Sequence, residues 1–191
     1  MGMPSANHED ILVTQAQQGN RRAFGELVSM HYPGVIQVVY HLCGDAHVAQ
    51  DAAQETFLRA WQHLPAYRPQ GTLRSWLYRI AVNAALDMLR REIKVDPQDI
   101  DALPLADREP GPEASFLAGE RAALVQAAVN ALPPASRAVL VLREYQGLSY
   151  QEIAAALDIP LGTVMSRLNY ARSQLRTRLE PQLELVEVQH V

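Results

Sequence analysis

Between Leu161 and Leu179 the sequence carries four arginines and no acid. Ser166, Asn169, Tyr170 and Ser173 fall at i, i+3, i+4 and i+7, so in a helix they share one face. Neutral hydrogen-bonding groups of this kind suit base edges, while Arg167, Arg172 and Arg176 on the flanks suit phosphates. A second constellation lies upstream, where Trp76, Arg79, Ile80, Asn83, Asp87 and Arg90 line one side of a helical pattern. An aromatic ring and a donor amide set among arginines suit unpaired nucleotides, because rings stack on bases while guanidiniums hold the backbone. Each set also has a plainer explanation. An amphipathic helix pair always shows a solvated polar face, and a surface tryptophan is often half-buried against a preceding loop. The acid-free charge of the downstream set favours DNA.

The elements that must position these groups follow from periodicity. In "LSYQEIAAALDIPLGTVMSRLNYARSQL", residues 148–175, Ile153, Ala154 and Leu157 form the packing stripe of a short helix. Ile159 and Val164 plug the turn. Val164, Leu168, Ala171 and Leu175 then recur at i, i+4, i+7 and i+11 along a second helix, the outline of a helix-turn-helix with a recognition helix. Asp158 stands in the turn where glycine is usual, and Asp tolerates a left-handed backbone better than most residues. Upstream, "TLRSWLYRIAVNAALDMLRR" predicts one long helix over 72–91 with Leu77, Ala81, Ala85, Met88 and Leu89 on its buried side. It closes a first helical domain, 10–91, punctuated by Gly19-Asn20 and Gly44-Asp45, each glycine ending one helix and the next residue capping another. Pro65, Pro69 and Gly71 mark a loop. Residues 92–120 are Pro-rich and acidic, and predict a flexible linker. A second helical domain spans 121–179, with Pro133-Pro134 separating its first two helices, and a tail covers 180–191. The fold class expected is all-α, two small helical domains on an acidic tether.

Charge is distributed along the same divisions. The chain of 191 residues has a net charge of −4 and a pI near 5.8. Residues 68–94 hold six basic and two acidic side chains, and 95–120 hold seven acids against Arg108. The global acidity therefore hides two basic surfaces behind an acidic tether. The first ten residues show no basic-then-apolar leader, and no run approaches the roughly 18 apolar residues of a membrane span, so a cytoplasmic protein without direct membrane insertion is expected. Cys43, the single cysteine, excludes an intrachain disulfide. His41, Cys43 and His47 are of metal-ligand type, yet they straddle the Gly44-Asp45 break with no evident fourth ligand, so neither a metal nor another cofactor is expected. No phosphate-cradling glycine loop, H-E-x-x-H or activated cysteine supports an enzyme.

Taken together these blocks resemble the extracytoplasmic-function (ECF) sigma factors of bacterial RNA polymerase. "GNRRAFGELVSMHYPGVIQVVYHLCGDAHVAQDAAQETFLRAW" and "TLRSWLYRIAVNAALDMLRR" are similar to sigma region 2, and "ALPPASRAVLVLREYQGLSYQEIAAALDIPLGTVMSRLNYARSQL" to region 4. The resemblance implies roles that periodicity does not. Asp51, Gln54, Glu55 and Leu58 match the segment that docks on the polymerase β′ subunit, with β completing the core-polymerase partner. The loop from His63 to Thr72, including Arg68, matches the one that captures a flipped base of the minus-10 element. Arg74, Trp76, Arg79, Asn83 and Arg90 match the helix that melts and reads it. Thr163, Met165, Ser166, Arg167, Asn169, Tyr170, Arg172 and Arg176 match the reader of the minus-35 duplex. Met165, where many members have Lys or Arg, and Asn169-Tyr170 depart from the common pattern, so the minus-35 sequence is not transferable from relatives. The implied partners are core polymerase, promoter DNA and an inhibitory anti-sigma factor. The alternative is a helix-turn-helix regulator that acts without polymerase, which leaves "DAAQETFLRAW" with no task.

Overall fold

The computed structural model describes residues 6–69, 71–93 and 116–188. All regular structure among them is helical: α1 (Ala6–Gln17), α2 (Arg21–Cys43), α3 (Ala46–His63), a 3₁₀ turn (Leu64–Ala66), α4 (Leu73–Ile93), α5 (Phe116–Asn130), α6 (Pro134–Glu144), α7 (Tyr150–Leu157) and α8 (Leu161–Val188).

The predicted helix boundaries are built by side chains. Gly19 lies at φ +90°, and Asn20 Oδ1 accepts from the Arg22 and Ala23 N–H groups at 3.0 and 3.2 Å, starting α2. Gly44 at φ +72° ends α2, and Asp45 Oδ1 accepts from His47 and Val48 N–H at 2.8 and 3.0 Å, starting α3. Thr72 Oγ1 accepts from the Ser75 N–H at the start of α4. Small residues let these helices approach closely: Ala49, Ala52, Ala53 and Ala60 of α3 and Ala81, Ala84 and Ala85 of α4 are buried around Val35, Val38, Val39 and Leu42 of α2.

The second bundle is α5–α8. Val139, Leu142, Leu148, Ile153, Val164, Leu168 and Ala171 form its centre. A capping box opens α7, in which Ser149 Oγ accepts from the Glu152 N–H while the Glu152 carboxylate accepts from the Ser149 N–H at 2.8 Å. That bonding holds the Glu152 carboxyl below its usual range. Asp158 closes α7 at φ 56°, ψ 48°, the left-handed turn the sequence predicts.

Helices run past two of the expected bounds. The linker expected over 92–120 is helical at both ends, since α4 reaches Ile93 and α5 starts at Phe116; residues 94–115 lie outside the described residues. The tail expected from 180 is helical to Val188, past Pro181. A proline there removes one hydrogen bond, to the Thr177 carbonyl.

The bundles are not held apart. α4 packs on α7, and α2 packs on α5 and α6.

Candidate nucleic-acid interface

On α8 the buried stripe and the exposed face separate as the spacing predicts. Val164, Leu168 and Ala171 are fully buried, and Met165, Ser166, Asn169, Tyr170 and Ser173 face solvent, with Thr163 half-buried at the first turn. The three flanking arginines are not equivalent. Arg172 lies against Glu144, with Nη2 and Nε donating to Oε1 at 2.7 and 3.2 Å. Arg176 is 3.9 Å from Glu180, both exposed. Arg167 has no carboxylate partner among the described residues, and its half-buried guanidinium is the readiest for a phosphate. Sequence spacing missed the Glu144 pairing because that residue lies on α6, outside the helix-turn-helix.

Along α4, Asn83 and Arg90 are exposed, as is Arg68 in the preceding loop. Trp76 is half-buried, its ring 4.8 Å from that of Tyr67 at 46°, so the plainer explanation of this tryptophan holds in part. Tyr67 is a member of the site that the spacing did not reveal. Its carbonyl accepts from Gln17 Nε2 at 3.0 Å, which ties the loop to α1. Arg74 and Arg79 turn toward the second bundle: Arg74 donates to the Gln146 carbonyl and lies over the Tyr78 ring, and Arg79 meets Asp158 at 3.3 Å. Arg90 bonds Asp87, which also accepts from Arg59.

The α3 set faces outward. Asp51, Gln54 and Leu58 are exposed, Leu58 by 53%, while Glu55 accepts from Arg59 Nε at 2.7 Å. Beside Leu58 an open apolar groove of about 530 Å³ runs between α2 and α3, lined by Phe24, Val28, Tyr32, Phe57 and Trp61 among others. The α2 half was not foreseen. Phe24, Val28 and Tyr32 at steps of four were its only sequence signal.

Where the bundles meet, the Arg137 guanidinium is fully buried among carbonyls. It donates to Leu42 O at 2.5 Å, to Leu132 O at 2.9 Å and to Asn130 O. Two of those carbonyls belong to the C-terminal turns of α2 and α5, whose dipoles present partial negative charge to the cation. Burial pushes the Arg137 pKa down to about 10, so it stays charged at neutral pH. Gly44 lies against Asn130, where a Cβ would collide with the amide. His41 is hydrogen-bonded to Gln126 at 2.5 Å and its ring lies 3.7 Å from that of Tyr145, tilted by 33°, while Cys43 is buried and His47 exposed. No group of three or more possible metal ligands occurs among the described residues.

Comparison with known proteins gives these surfaces a context. Two family models match in chain order, Sigma-70 region 2 over residues 27–94 and Sigma-70 region 4 over residues 122–175. The ECF RNA polymerase sigma-E factor of Escherichia coli K12 is 35% identical over 182 residues, which cover 91% of this chain and 95% of that protein. The chain belongs to the ECF sigma factors. SigE of Mycolicibacterium smegmatis, an ECF RNA polymerase sigma factor, is 42% identical over 161 residues; the match covers 82% of this chain and 62% of the length of SigE. The structure of CnrH in complex with the cytosolic domain of CnrY superposes at a TM-score of 0.70 and 29% identity, over 91% of this chain and 98% of that one. This sigma factor is thus an alternative transcription initiation factor that directs RNA polymerase to promoters. No helix among the described residues is long and apolar enough to cross a membrane.

Proposed function

We propose that the labour of initiation is divided among three surfaces of this sigma factor. The α3 face with Asp51, Gln54, Glu55 and Leu58 docks on core polymerase, and the adjoining apolar groove widens that contact onto α2. The Tyr67–Arg68 loop and the outer side of α4, with Trp76, Asn83 and Arg90, take unpaired bases of the minus-10 element; Arg74 and Arg79 join them when α4 parts from α7. The exposed face of α8, from Thr163 to Arg176, reads the minus-35 duplex. Residues 10–91 and 121–179 are the two functional units and 92–120 the tether. The observation that carries this reading is the clean split of α8, with Val164, Leu168 and Ala171 buried and a neutral polar face flanked by arginines exposed. The protein works in the cytoplasm without catalysis of its own, and an anti-sigma factor that covers the polymerase-binding surfaces holds it inactive.

The decisive measurement is core binding by the double variant Glu55→Arg, Leu58→Ala. Reversing one charge and truncating an exposed apolar anchor should abolish association with core polymerase while helical content is unchanged. Unchanged affinity for core overturns the assignment of α3.

A further inference from the structure

A recess of about 370 Å³ lies where the N-terminus of α6 meets α8, lined by Pro133, Ser136, Ser166, Arg167 and Tyr170. The first turn of α6 has no side-chain cap and no acid, because Pro133 holds the cap position. The positive end of that helix dipole is therefore not neutralised by its own sequence. Ser136 is only 7% exposed and lines the recess, yet its hydroxyl makes no hydrogen bond among the described residues. The hydroxyl therefore opens onto the recess with its donor uncommitted to the protein and available to a ligand there. Opposite stands Arg167, the one flanking arginine of α8 with no carboxylate neighbour among the described residues. An uncapped helix end, an uncommitted hydroxyl and an unpaired guanidinium thus converge on one open recess. Their shared preference is a tetrahedral oxyanion.

We propose that this recess is a phosphate subsite that seats one backbone phosphate of the promoter duplex, with Ser136 donating to one oxygen and Arg167 to another. The proposal rests on α8 being the minus-35 reader. It adds that the duplex is also gripped by α6, a helix outside the helix-turn-helix, and it makes Ser136 and Arg167 a register pin: a phosphate held at this point fixes how far α8 slides along the groove. Ser166 and Tyr170, which line the same recess, then lie beside the pinned phosphate rather than central among the bases.

The test uses holoenzyme assembled from the full chain and a promoter duplex carrying single neutral methylphosphonates across the minus-35 element. For the wild type, one position should weaken binding roughly tenfold, the loss expected for hydrogen bonds to a charged oxygen. Ser136→Ala should bind the unmodified duplex several-fold more weakly and lose less than about twofold on the same methylphosphonate. Ser136→Thr, which keeps the hydroxyl, should recover sensitivity at that position, and Arg167→Gln should flatten the salt dependence by about 0.9 in log–log slope. Thermal melting of each variant verifies folding. If Ser136→Ala reproduces the wild-type methylphosphonate profile while minus-35 recognition is intact, the subsite is refuted and the α8 reading stands. If the wild type shows no dependence on minus-35 sequence, both fall. Inorganic phosphate titrated into the full chain and followed by NMR separates the sources: saturable binding lost in Ser136→Ala, with an unchanged duplex profile, would mean that the recess takes a free anion and not the duplex.

Discussion

His41 shows how much one side chain contributes to the way the two bundles meet. It lies on α2, but the groups that enclose it are Gln126 of α5 and Tyr145, the residue that caps the end of α6. Burial holds its pKa below the ordinary 6.5, against the smaller opposing effect of the Gln126 hydrogen bond. The sign follows: the opened or unfolded chain binds a proton more readily than the closed one. The contribution of His41 to closure is therefore complete above about pH 6.5 and is lost as pH falls through the depressed folded value. Small-angle scattering of the free protein should show a rise in radius of gyration as pH falls below about 6.5, and a His41→Asn variant should show a weaker one. Identical profiles for both proteins would remove His41 from the closure. As a metal ligand this histidine lacks an evident fourth partner in the sequence. What sequence could not supply was its neighbour at position 126, which only the packing of the bundles brings near.

At the scale of elements, α4 carries the most distinct expectation. Asn83 projects from it without structural duty, whereas Trp76 also packs on Tyr67. Asn83→Ala should impair open-complex formation and leave thermal stability unchanged; Trp76→Ala should impair both, the lost base stacking alone costing about 1–3 kcal/mol. The measurement is permanganate reactivity of the melted strand beside a duplex-binding assay on the minus-35 element. An equal loss in the two assays would detach α4 from melting. The α7 cap gives a simpler case: Ser149→Ala should cost about 1 kcal/mol in urea unfolding. These elements were legible because their signals are local. Asn20 and Asp45 cap helices through bonds spanning two residues, and the stripe from Val164 to Leu175 needs only a period of 3.6. Distant pairings were not legible, Arg172 with Glu144 and Arg79 with Asp158 among them, nor was the run of α8 past Pro181. Each depends on tertiary neighbours or on solvent exposure.

For the whole molecule, the sequence suggested that an acidic tether keeps DNA away from two basic surfaces. The packing adds a second gate, since Arg74 and Arg79 spend their donors on Gln146 and Asp158 of the other bundle. The variant Gln146→Ala, Asp158→Gly removes the Tyr78–Gln146 and Arg79–Asp158 contacts and places glycine where φ is positive. The free full-length variant should bind promoter duplex several-fold better than the wild type, measured by fluorescence anisotropy. A variant with the linker acids changed to Asn and Gln, in the same assay, tests the tether separately. If only the tether variant gains affinity, the bundle contact is not a gate.

The position of Arg137 has a mechanical consequence. The seam between the bundles is strong at one end and weak at the other. Beside Gly44 and Asn130 the buried Arg137 guanidinium, which also holds the Asn130 and Leu132 carbonyls of its own bundle, reaches across to the Leu42 carbonyl, and separating the bundles would leave that acceptor unanswered at about 1–3 kcal/mol. At the other end Arg74 and Tyr78 bond Gln146, and the exposed ion pair between Arg79 and Asp158 beside them is worth at most about 1 kcal/mol and is screened by salt. The Leu42–Arg137 corner is the buried end of the seam and the α4–α7 edge the end that water and salt reach, so if the halves part at that edge while the corner holds, the molecule opens as a clamshell hinged at Leu42–Arg137.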